Sequence, residues 1–155
     1  MSCSVFKGKV KNLPYAIKMT MNLEYPLVTN LANFSKLIFD YFDNTSWAGF
    51  YLTGSDNNLY LGPFQGDTAT PFIEYGKGVC GSSLKDKEVK LVPNVHDFPG
   101  HIACSELSNS EIVVPIIKDN KVVGVIDLDS TLFDNYDVED SKILVEVAEI
   151  ISQLF

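Results

Sequence analysis

The segment "EIVVPIIKDNKVVGVIDLDS", residues 111–130, constrains the fold more than any other stretch. Two apolar runs flank a polar turn, which is the pattern of a β-hairpin. Strand side chains alternate between faces, so Asp127 and Asp129 share one face while Ile126 and Leu128 take the other. Two carboxylates beyond Val123 and Val125 on that face read either as an exposed face with a turn cap, or as a pocket floor that turns acidic at its end. Glu111 opens the partner strand, and the side it takes depends on the turn. A three-residue loop (Asp119, Asn120, Lys121) sets Glu111 opposite Asp129, whereas a plain two-residue turn at Asp119–Asn120 sets it opposite Leu128. A pocket that collects all three acids therefore requires an odd loop or a bulge.

The rest of the chain frames this hairpin. A helix is predicted from a cap at Asn22 to about Phe42, with Leu27, Leu31, Phe34, Ile38 and Tyr41 on one face and Pro26 in its first turns. "SWAGFYL" (46–52) and "LYLGPF" (59–64) read as strands around the turn "GSDNN". Trp47 and Tyr51 share a face of the first; an aromatic wall beside acids and a thiol suits a small cationic or S-methyl group. Short strands follow at "FIEY" and "VKLV", with a short helix starting near Cys80 between them and a loop over 93–110. A final helix starts at an Asp137 cap, with Glu139 and Asp140 near its positive end and Ile143, Val147, Ile150, Ile151 and Leu154 as its stripe. This order of elements predicts one α+β domain over residues 1–155, with terminal helices against a mainly antiparallel sheet.

Composition excludes several classes of function. With a net charge of −8, twelve Lys and no Arg, the chain is ill suited to nucleic-acid backbones. No stretch approaches ~18 consecutive apolar residues, so no membrane span is expected. The start has no apolar signal core, and a cytoplasmic address is expected. There, Cys3, Cys80 and Cys104 are not a disulfide framework and point to free thiols, metal or redox chemistry. "GKGVCG" fits a dinucleotide fingerprint, but Pro93 comes too early for a crossover helix, and its glycines serve better as a tight turn that brings Cys80 near other backbone. His96 and His101 sit in a Pro/Gly loop while Cys80 and Cys104 lie far apart with no knuckle, so no metal is expected and the histidines read as loop hydrogen-bonders.

Taken together, "SWAGFYL", "LGPFQG", "GKGVCG", "FPGHIACS", "SEIVVPI" and "GVIDLDS", in order over about residues 46–130, resemble the free methionine-(R)-sulfoxide reductase family, which is built on a GAF domain. The resemblance implies a central antiparallel sheet with the N- and C-terminal helices on one face and a ligand pocket on the other. It also implies a homodimer, free methionine-(R)-sulfoxide as substrate, no bound cofactor, and electrons from thioredoxin kept reduced by an NADPH-dependent reductase. By position, Cys104 and Cys80 correspond to redox-active cysteines, and Trp47, Tyr51, Glu111, Asp127 and Asp129 to residues that line the substrate pocket. The chain departs from the family pattern twice: Thr70 stands where relatives commonly carry a third cysteine, and Ser105 where they tend to have Asp. The rival reading is a non-catalytic GAF module that senses a small ligand.

Sulfoxide reduction needs a thiolate together with a proton donor for the departing oxygen. Glu111 or Asp129, kept protonated by burial, is the expected donor, and Asp127 the expected partner of the substrate ammonium. Cys104, just upstream of Glu111, is expected as nucleophile and Cys80 as the thiol that resolves its sulfenic acid, the reverse order being the alternative.

Overall fold

The computed structural model describes residues 8–101 and 106–155. Cys3, Cys104 and Ser105 lie outside the described residues. The helices are α1 (Leu13–Thr20), α2 (Leu27–Tyr41), α3 (Gly78–Asp86) and α4 (Val138–Ile151). The strands are β1 (Thr45–Thr53), β2 (Leu59–Gln65), β3 (Phe72–Ile73), β4 (Lys90–Val92), β5 (Ser110–Lys118) and β6 (Lys121–Ser130). They form one antiparallel sheet in the order β3-β2-β1-β6-β5-β4, so the β5–β6 hairpin and β1 occupy its centre.

The sheet is buried on both sides, and numbering parity sorts its residues. Ala48, Phe50, Ile112, Val114, Ile116, Ile126 and Leu128 pack under α1, α2 and α4, against Leu13, Ile17, Leu31, Phe34, Ile38, Leu144 and Val147. Trp47, Tyr51, Val113 and Val125 face the other way, where α3 supplies Val79, Cys80 and Leu84. The α+β, GAF-like arrangement expected from the sequence is the observed one.

The helix expected from Asn22 begins later. Pro26 occupies the cap position of α2, and Asn22 is tied instead to Asn30, whose side chain accepts from the Asn22 N–H and donates to the Asn22 carbonyl. Proline fits at a helix start because its missing N–H would find no partner there anyway. The separate helix α1, capped by the Asn12 side chain on the Tyr15 N–H, was not expected. The expected Asp137 cap is present as a reciprocal capping box with Asp140.

The hairpin resolves the parity question with a bulge. Lys118 pairs with Lys121 across a two-residue turn in which Asp119 and Asn120 both have positive φ. Between Ile117–Val122 and Ile116–Gly124 the register shifts by one, leaving Val123 as the extra residue. From there on, Glu111 pairs with Asp129 and Val113 with Asp127. A second register shift, in β2 between the Gly49–Phe64 and Tyr51–Leu61 pairs, sets Phe64 on the same side as Leu59 and Leu61.

Candidate active site

Two rows of paired residues cross the pocket side of the sheet. One runs Val92–Glu111–Asp129–Trp47 over four adjacent strands. The next runs Val113–Asp127–Gly49–Phe64. Glu111 and Asp129 are directly opposed in a strand pair, where two ionised carboxylates would repel, so the pairing disfavours ionisation of both.

The aromatic end is tightly built. Trp47 stacks on Phe64 at 5.2 Å and on Tyr51 at 6.0 Å between ring centroids. The Trp47 indole N–H donates to the Asp67 carbonyl and the Tyr51 hydroxyl to the Thr70 carbonyl, which ties both rings to the loop after β2. Thr70, in the place of a third cysteine, thus holds Tyr51 through its backbone. Gly49 is required here: a Cβ would lie 2.4 Å from Phe64 Cβ and 2.9 Å from Trp47 Cη2. Phe64 belongs to this wall although its sequence context did not reveal it.

At the acidic end, Glu111, Asp127 and Asp129 are 4%, 0% and 3% exposed. Ser108 Oγ donates to Asp129 Oδ1 at 2.8 Å, whereas among the described residues both oxygens of Asp127, Oδ2 of Asp129 and Oε2 of Glu111 find no well-formed hydrogen bond, although Glu111 and Cys80 lie close to Asp127. Burial is the main force holding all three carboxyls well above the usual carboxylate range, reinforced on Glu111 by Asp129, on Asp127 by Glu111 and on Asp129 by Asp127. The site therefore favours the protonated form of each acid over the ionised one.

Cys80 enters from α3, where Gly76 and Gly78 take positive φ and a Cβ on Gly81 would meet the Glu74 carbonyl at 2.6 Å. The glycines thus allow the close approach expected of them, and Cys80 Sγ lies 3.9 Å from Glu111 Oε1. Cys80, Glu111 and Asp127 bring donor atoms within 4.8 Å of one another, types that a transition metal can take. A cation there would need all three deprotonated in surroundings that favour the neutral acids, so the set reads better as a proton store.

The two histidines part company. His96 hydrogen-bonds the Asn109 side chain at 2.8 Å, as a loop residue would. His101 instead points its Nε2 at Glu111 Oε2, 3.4 Å away, with 12% of its side chain exposed and its basicity lowered by burial. Cys80, Glu111, Asp127, Asp129, Trp47 and Tyr51 are thus brought to one side of the sheet, while Cys104 lies outside the described residues.

The GAF domain family matches residues 29–155. The free methionine-R-sulfoxide reductase of Saccharomyces cerevisiae is 45% identical over 133 residues, 81% of this chain and 74% of that protein. The chain belongs to the GAF-domain family of free methionine-R-sulfoxide reductases. The Escherichia coli protein of the same name is 44% identical over 77% of this chain and 72% of its own length. The free methionine-R-sulfoxide reductase of Neisseria meningitidis, solved in complex with its substrate, superposes with a TM-score of 0.88 at 34% identity, covering 99% of this chain and 96% of that one.

Proposed function

We propose that this chain, acting as a single domain over residues 1–155, reduces free methionine-(R)-sulfoxide to methionine. The observation that carries the reading is the buried acid set beside a stacked aromatic wall and Cys80. The relatives named for this activity support it.

The aromatic wall takes the methyl and thioether end through Trp47. Asp127, whose two oxygens find no well-formed donor among the described residues, takes the ammonium; the arriving positive charge favours its ionised form and offsets the burial that otherwise disfavours it. The Cys104 thiolate attacks the sulfoxide sulfur while Glu111 protonates the oxygen. The substrate S–O bond breaks and an S–OH bond forms on Cys104. The products are methionine, a Cys104 sulfenic acid and an ionised Glu111, the substrate sulfur being reduced by two electrons and the cysteine sulfur oxidised by two. The Cys80 thiol then displaces water to give a disulfide, and the thioredoxin dithiol returns Cys104 as thiolate and Cys80 as thiol by exchange, releasing one proton to solvent. Thioredoxin, kept reduced by its NADPH-dependent reductase, is the only electron source this scheme requires.

The working unit is a homodimer in a cytoplasmic setting that keeps thiols reduced. Exposed Tyr15 and Met19 on one face of α1, with Leu23, Tyr25 and Val28 just beyond, offer an apolar surface for the second copy. No helix among the described residues is long and apolar enough to cross a membrane.

The test is thioredoxin-coupled NADPH consumption with free methionine-(R)-sulfoxide, using the S-epimer and a protein-bound sulfoxide as controls. Turnover of the free R-sulfoxide alone is expected. No consumption with any of them, alongside ligand binding detected by Trp47 fluorescence, would leave a non-catalytic small-ligand module.

A further inference from the structure

We propose that His101 carries protons from solvent to Glu111 between turnovers, as a relay that acts through Glu111 rather than on the substrate. The inference rests on the reductase reading above, because that chemistry leaves Glu111 ionised once per cycle.

The geometry restricts how Glu111 can be recharged. Its Oε1 faces Cys80 of α3, and Asp129 of β6 is its neighbour in the row, with Asp127 one row away. Those two acids are sealed from solvent and are themselves proton-holding groups, so they can share a proton with Glu111 but cannot import one. On the other flank of the row stands apolar Val92. Ser108 donates its hydroxyl proton to Asp129 and brings no net charge. Among the described residues, His101 is the titratable side chain that contacts Glu111 and still reaches the surface: Nε2 lies 3.4 Å from Oε2, and the ring keeps 12% of its area exposed. A separation slightly beyond a hydrogen bond is ordinary for catalytic groups before substrate arrives.

The direction of transfer follows from charge. With Glu111 protonated, burial keeps the imidazole neutral, so it holds no cation to repel the substrate ammonium. After turnover the ionised Glu111 makes the adjacent imidazole more basic. His101 then takes a proton from solvent and passes it from Nε2 to Oε2; imidazolium plus carboxylate becomes neutral imidazole plus carboxylic acid. No electron moves. His96, held by Asn109, is not placed to substitute.

The discriminating experiment is His101→Gln, read in two phases with saturating thioredoxin. The first turnover uses a proton already on Glu111, so burst methionine release should stay within about twofold of wild type. Steady-state kcat should fall by about tenfold or more, at the lower edge of what proton-transfer groups contribute, with KM little changed. In His101→Ala, added imidazole should restore kcat in proportion to its concentration and to its protonated fraction, since the imidazolium is the form that donates to Glu111. A merely structural histidine would slow the burst equally and show no rescue, which overturns the relay. An unchanged kcat in both variants from pH 6 to 9 overturns it too. A wild-type protein that releases no methionine overturns the reductase reading, and the relay with it; active wild type with unaffected variants overturns the relay alone.

Discussion

Replacing Asp127 with Asn should make this protein more heat-stable and a poorer binder at once. In the structure Asp127 is fully buried, neither carboxyl oxygen finds a well-formed hydrogen bond among the described residues, and burial raises its affinity for a proton. An unfolded aspartate ionises near pH 3.9. Between that value and the higher folded one, the native state binds the extra proton, so stability falls as pH rises; the contribution is fully present only below about pH 3.9. Each pH unit in this window costs about 1.4 kcal/mol for one proton. For a domain of this size, about 2–4 °C of melting temperature per kcal/mol makes that about 3–5 °C per pH unit. The Asn variant carries no such charge, so its Tm advantage over wild type should widen as pH rises above about 4, less whatever share Glu111 and Asp129 take of the same proton. In steady-state assays the lost charge-assisted bond to the ammonium, about 1.5–3 kcal/mol, should raise KM about 10- to 150-fold with a smaller effect on kcat. Thermal unfolding over that pH range, with kinetics on the same samples, tests both halves. A Tm deficit that grows with pH would show that Asp127 is ionised and paired in the native state, and an unchanged KM would remove it from the ammonium site.

Three further outcomes follow from the same geometry. Glu111→Gln should chiefly lower kcat, and its loss combined with Asp129→Asn should be less than additive if the pair shares one proton, as a double-mutant cycle will read. Gly49→Ala should destabilise by about 1–3 kcal/mol through overpacking and shift the emission of Trp47, the chain's single tryptophan, because the new methyl collides with Phe64; unchanged stability and emission would mean the wall has slack. Cys80→Ser should release about one equivalent of methionine and then stall with thioredoxin, whereas Cys104→Ser should release none; the opposite pattern reverses the two roles.

Much of the fold and of the site was legible because parity and periodicity survive in sequence. Asp127 and Asp129 had to share a face, Trp47 and Tyr51 likewise, and the even-numbered apolar residues of the same strands had to line the other side. What parity could not choose was the device. Asp119 and Asn120 accept left-handed backbone readily enough to close a two-residue turn, which moved the required extra residue to Val123 inside an unbroken apolar run. Phe64 was hidden for the same reason, since a register shift in β2 decides its side. α1 escaped notice because eight residues with a proline near the start carry a weak periodic signal. His101 sits in a loop, where no period assigns a direction, and its residue type alone read no differently from His96, as a loop hydrogen-bonder.

The extra residue at Val123 acts like a frame-restoring insertion. Upstream and downstream of it, the hairpin counts in twos, and one residue sets both the acid rows on one side and Ile112, Val114, Ile126 and Leu128 on the other. A hairpin paired one residue out of frame would turn those apolar side chains toward the pocket and press carboxylates against the helices. Such a chain would lose its main core along with its proton store. Misregistered molecules should therefore not persist as a folded, silent fraction in a purified sample.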